Sequence, residues 1–176
     1  MKTVDVLKIL EKVAPVALSD EMCKKCGMYD NSGIIIESGT AVTGALFSLD
    51  LSRGAVKAAV EKGFNLIVTH HPAIYGGVSR ISFDDAIALC VKNGISVISM
   101  HLNFDSAPEG IDYHLMKGLG GKEGERLIKL SNGGYGRVYP VNPTDFESYC
   151  KFVAQSLSTD RALFYGSPYK RIEKVA

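Results

Sequence analysis

The sequence predicts an α/β protein in which a largely parallel or mixed sheet is covered by helices. Three observations carry that reading: short, almost wholly apolar runs recur along the chain, segments of helical period lie between them, and the connections are short. With 176 residues, 46% of them hydrophobic, the chain can bury a core. Disordered and low-complexity classes are thereby excluded.

Taken in order, Val4, Leu7, Leu10, Val13 and Ala14 predict a helix over 3–14, closed by Pro15. Residues 19–33 are polar with Gly and Asn, and a loop or short helix is expected there. Strands are expected at 33–37 and 41–50, the second apolar enough for burial on both faces. Ser52 caps an expected helix over 53–62, which Gly63 ends. The runs 64–69 and 95–100 read as buried strands. Between them lies a helix over 84–92, opened by Ser82 and Asp85 and stopped by Asn93-Gly94. This alternation implies right-handed crossovers and parallel strands, whose carboxyl ends are where ligands bind.

After residue 100 the periodicity weakens. A helix is expected over 111–119, a turn-rich break at 131–136, and a strand beginning at Arg137-Val138-Tyr139. Thr144 and Glu147 form a capping box for a helix to about residue 157, and 162–165 and 172–176 read as strands. The expected division is an N-terminal α/β domain over 1–130 and the start of a following α/β segment over 131–176, incomplete at its end.

The charges nearly cancel, with 20 Lys+Arg against 19 Asp+Glu, which disfavours a nucleic-acid binder. No apolar run is long enough to span a membrane, and the charged N-terminal residues leave no room for the apolar centre of a signal peptide. A cytoplasmic location with reduced thiols is expected. Cys23 and Cys26 have the spacing of a redox pair or half a zinc knuckle, and lysines flank both. With no second such pair they read as ordinary thiols, and Cys90 and Cys150 read as core.

Three expected strands end in Asp50, in Thr69-His70-His71-Pro72 and in His101-Leu102-Asn103-Phe104-Asp105. Parallel strands bring all three endings to one edge. Neighbouring residues of a regular strand point to opposite faces, but Pro72 holds His71 extended at the strand end, so both imidazoles can reach a site above the edge. His101 and Asp105, four apart in an expected loop, add a nitrogen and a carboxylate. His70, His71, His101 and Asp105 are therefore candidate ligands of a divalent metal such as zinc, iron, manganese or nickel. His114 is read as a packing or surface residue, and Asp50 either as a partner supporting the site or as the cap of the helix that follows, the cap being favoured.

The segments Val68-Thr69-His70-His71-Pro72-Ala73-Ile74-Tyr75 and His101-Leu102-Asn103-Phe104-Asp105-Ser106-Ala107 resemble the motifs of the Ngg-interacting-factor-three-like dinuclear metal family, also known as type-two GTP cyclohydrolase one. Asp30-Asn31-Ser32-Gly33, Ser48-Leu49-Asp50 and Gly134-Tyr135-Gly136-Arg137 extend the resemblance over nearly the whole chain. It implies His70, His71 and Asp105 as ligands, with Asp105 bridging two ions and His101 as a further ligand or a supporting partner. It also implies ring-shaped homo-oligomers, hexamers in many members. The family's C-terminal His-x-x-x-Glu pair has no counterpart here, so the chain is expected to be a fragment or a truncated homologue.

Two functions follow as expectations. One is a metal-dependent hydrolase acting on a nucleotide-like small molecule, the resemblance implying ring opening of GTP; no phosphate loop of the G-x-x-x-x-G-K type is present. The alternative is a non-catalytic metal-binding scaffold or regulator in a ring-shaped oligomer.

Overall fold

Helical period gives α1 (Thr3–Leu10) and α2 (Val16–Cys26) in the computed structural model, which describes residues 1–176. Pro15 ends the first helical stretch but is also the N-cap of α2. Its fixed φ suits a helix entry as well as an exit. A helix of eleven residues thus occupies ground expected to hold a loop or short helix; Leu18, Ser19 and Met22 are its buried positions, and Gly27 closes it at a φ of +64°.

The first sheet is built from β1 (Gly33–Ile36), β2 (Ala45–Ser48), β3 (Leu66–Thr69) and β4 (Ser96–Ser99). Interleaved with them are α3 (Arg53–Glu61), α4 (Ala86–Lys92) and, after β4, α5 (Leu102–Ser106). The spatial order is β1-β4-β3-β2, with β2, β3 and β4 mutually parallel and β1 antiparallel to β4. The sheet is therefore mixed, as expected. All residues of β3 and β4 are buried, because only central parallel strands are covered on both faces. The expectation of a buried strand at 41–50 fails: β2 is short and at the sheet edge, with Phe47 69% exposed. Val56 and Ala59 of α3 and Cys90 of α4 pack with Ile67, Ile95 and Val97 into one core. Ser48, Thr69 and Ser99 lie side by side in register, so the carboxyl ends of the three parallel strands form one edge.

Two local details are testable. The Ser52 hydroxyl accepts from the amide of Ala55 and caps α3 as predicted. Ser52→Ala should cost about 1 kcal/mol in urea unfolding. Burial pushes the Cys90 thiol up to about 11, while Cys26 is exposed. Iodoacetamide should therefore label Cys26 in the native protein well before Cys90, and equal rates would contradict the packing of α4. The lysines beside Cys23 do not activate it: burial raises its thiol pKa, and Asp30 and Asp20 add to that. A reactive pair at 23 and 26 is thus not supported, since Cys26 instead directs its thiol at the Met22 sulfur.

The remaining elements are α6 (Ile111–Gly118), β5 (Glu125–Lys129), β6 (Gly134–Asp145), α7 (Phe146–Ser156) and β7 (Arg171–Val175). The strands pair antiparallel in the order β5-β6-β7. Met116 and Leu119, at the end of α6, share a core with Tyr139 of β6. Contacts accordingly group Met1–Ala107 and Pro108–Ala176 as two units, whereas the sequence placed the division after 130. Asp112 on α6 pairs with both Arg126 and Arg137, whose guanidinium lies 5.3 Å from the Tyr113 ring centre. The cap of α7 is Asp145, accepting from the amide of Ser148, one residue later than the expected Thr144 box. Residues 162–165 form no strand: Leu163 and Tyr165 are fully exposed. No helix is long and apolar enough to cross a membrane.

Candidate metal centre

The amides of His70 and His71 continue the parallel ladder, donating to the carbonyls of Ser48 and Leu49. The chain then turns at Pro72, and the amide of Ala73 donates to the Ser99 hydroxyl. The two neighbouring rings consequently lie 5.0 Å apart, centre to centre, on the same edge. His101 arrives from β4 as the N-cap residue of α5. Leu102–Ser106 is thus a short helix and not the expected loop, and the amide of Asp105 donates to the His101 carbonyl at 2.9 Å. One helical turn separates the two residues, which stacks their side chains on one face.

The His101 ring centre lies 5.3 Å from that of His70 and 5.9 Å from that of His71. One ligating atom from each of His70, His101 and Asp105 falls within 4.8 Å of the others, and the His70 Nε2 is 3.7 Å from the Asp105 carboxylate. His71 stands beside this trio, with 46% of its side chain exposed. His114 is exposed on α6, as expected.

Each clustered imidazole is held by its Nδ1. That of His70 lies 3.0 Å from the carbonyl oxygen of Met100, that of His71 2.7 Å from Asp50, and that of His101 2.7 Å from Asp30. A carbonyl or carboxylate only accepts, so Nδ1 carries a proton, and in the neutral ring the lone pair then sits on Nε2. This is the arrangement by which outer groups orient histidine ligands. The donor set, imidazole nitrogens beside a carboxylate, fits a borderline divalent ion.

The two anchoring aspartates differ. Asp50 is exposed and pairs with His71, leaving the cap of α3 to Ser52, contrary to the expected capping role. The Asp30 side chain has no exposure, and it accepts from the hydroxyls of Ser19 and Ser32 as well as from His101. Burial acts to raise its pKa, but these hydrogen bonds together hold the carboxyl below its ordinary value. In the sequence Asp30 stands out only as the first residue of Asp30-Asn31-Ser32-Gly33, which points to no role for it. Tyr75 completes the surroundings: its hydroxyl donates to the Tyr29 carbonyl, and its ring lies 6.5 Å from that of His101.

The model of the Duf34/NIF3 (NGG1p interacting factor 3) family matches residues 1–176. The chain belongs to this family. It is 28% identical over 186 aligned residues to a GTP cyclohydrolase 1 type 2 homolog of Clostridium acetobutylicum, covering 100% of this chain and 67% of that protein. A Staphylococcus aureus protein of the same description is 33% identical over 149 residues, which are 82% of this chain and 38% of that one. This NIF3-family chain thus spans a little over a third of the length of the second relative. The crystal structure of a Staphylococcus aureus hypothetical protein superposes with a TM-score of 0.85 at 24% identity, covering 99% of this chain and 70% of that one. At that identity the likeness shows a shared fold, over nearly the whole of this chain.

Proposed function

We propose that this NIF3-family chain is a metal-dependent hydrolase of a nucleotide-like small molecule, with His70, His101 and Asp105 holding one divalent ion and His71 serving a second beside it. The observation that carries the reading is the convergence of three imidazoles whose Nδ1 atoms are all committed to acceptors, leaving Nε2 lone pairs next to a carboxylate. When bound, divalent cations supply Lewis acidity and lower the pKa of water. The chain's own part is orientation. Met100, Asp50 and Asp30 fix the three rings before any ion arrives, and α5 sets Asp105 one turn from His101. The Clostridium and Staphylococcus relatives described as GTP cyclohydrolase 1 type 2 homologs support a ring-opening reaction. In such a reaction water adds across a C–N bond, its hydroxyl going to carbon and its proton to nitrogen as the bond breaks.

The test is the metal content of the purified chain, followed by assay of GTP and other nucleotides with each metal. Stoichiometric transition metal with product release is expected. A chain that takes up no metal sinks the reading, and a metal-loaded chain inert to every nucleotide favours the scaffold.

A further inference from the structure

Beside the histidine cluster, between the end of α1 and the carboxyl ends of β2 and β3, lies a pocket of about 270 Å³. Its walls are Leu10, Val13, Phe47, Val68, Met100 and Phe104, and His70 also lines it. No lysine or arginine lines it. Two hydroxyls also line it, and their protons are committed: Ser48 donates to the Asp50 carbonyl and Thr69 to the His71 carbonyl. No wall residue carries a positive charge to recognise phosphate, and both hydroxyl protons are already donated within the chain, so apart from His70 the walls offer a bound ring chiefly apolar contact.

We propose that this pocket is the specificity pocket of the site and takes an uncharged, planar ring system of about two fused rings, placing its edge against His70. Size supports the choice, since an apolar cavity of about 150 Å³ already accepts benzene. So does the aromatic geometry: the Phe104 ring stands edge-on to His70 at 6.5 Å, an arrangement into which a third ring packs. Its position outside the carboxyl ends of parallel strands is where such sheets bind ligands. The assignment as a substrate pocket rests on the proposed hydrolase function, whereas occupation by a ring can be measured without it. Any charged part of the substrate then lies outside the pocket, on the His71 side.

The test uses fluoronaphthalene, an uncharged two-ring probe, titrated by ¹⁹F NMR against the chain with and without zinc. Inorganic triphosphate serves as competitor. Val13→Trp fills the pocket mouth, and Val60→Trp, on α3 and outside the pocket, is the control. The expected result is binding that triphosphate does not displace, weakened at least tenfold by Val13→Trp and unchanged by Val60→Trp. Should Val13→Trp lose its circular dichroism spectrum, Val13→Asp replaces it, with the same loss expected from a charge at the mouth. Equal binding by wild type and the pocket variant, or no binding by wild type, overturns the proposal. Zinc uptake without probe binding removes this pocket and leaves the metal reading intact; probe binding without zinc uptake does the reverse.

Discussion

Asp105→Ala is expected to lower the affinity of the chain for its first divalent ion by more than about 100-fold, since loss of an outer partner alone typically costs about 10–100-fold. His70→Ala should do the same. His71→Ala should behave differently, because its ring lies outside the trio whose ligating atoms are within 4.8 Å of one another. Its expected effect is a fall in stoichiometry from two ions to one, with the tighter Kd retained. Calorimetric titration of the metal-stripped proteins with zinc, backed by circular dichroism to show that each variant is folded, separates these outcomes. Unchanged affinity in Asp105→Ala would falsify the assignment of the cluster.

The second large effect is expected at Asp30. Asp30→Ala removes the acceptor of Ser19, Ser32 and His101 at a fully buried position. Leaving those donors without a partner should cost roughly 3 kcal/mol, or on the order of 10 °C in Tm for a chain of this size. Asp30→Asn keeps the volume and one acceptor but not the charge. It should fold with a smaller loss, while its zinc affinity drops about 10–100-fold as His101 loses its anionic anchor. Thermal unfolding and zinc titration of both variants check the two effects separately. If Asp30→Asn binds zinc as tightly as the wild type, His101 is not oriented by this carboxylate.

The parts of this architecture that were legible in the sequence are those whose signal is local. Leu66–Thr69 and Ser96–Ser99 read as buried strands because nearly every residue is apolar, and His70, His71, His101 and Asp105 were found because each follows such a strand. The edge position of β2 was not legible, since burial of a strand depends on neighbours that the run 41–50 does not name. The short helix α5 offers barely one turn, too little for periodicity to register. α2 was half-hidden by Ser19 and Asp20 at its start and by a proline that serves two helices. Asp30 was missed because its meaning is entirely non-local: the bond to His101 joins residues 71 apart. The only trace was the short Asp-Asn-Ser-Gly segment before β1. For Asp50 the wrong one of two readings was favoured for the opposite reason, a plausible local role as a cap that Ser52 in fact fills, whereas its carboxylate supports His71.

The anchor of His70 is a main-chain carbonyl, while those of His71 and His101 are side chains. Codon changes at positions 50 and 30 can therefore retune two of the three imidazoles, but no change at position 100 short of displacing the backbone can unfasten the third. His70 is the mutationally sheltered member of the group. Drift or engineering that reshapes metal preference should act through the two carboxylates, around a fixed point that the genetic code cannot easily edit.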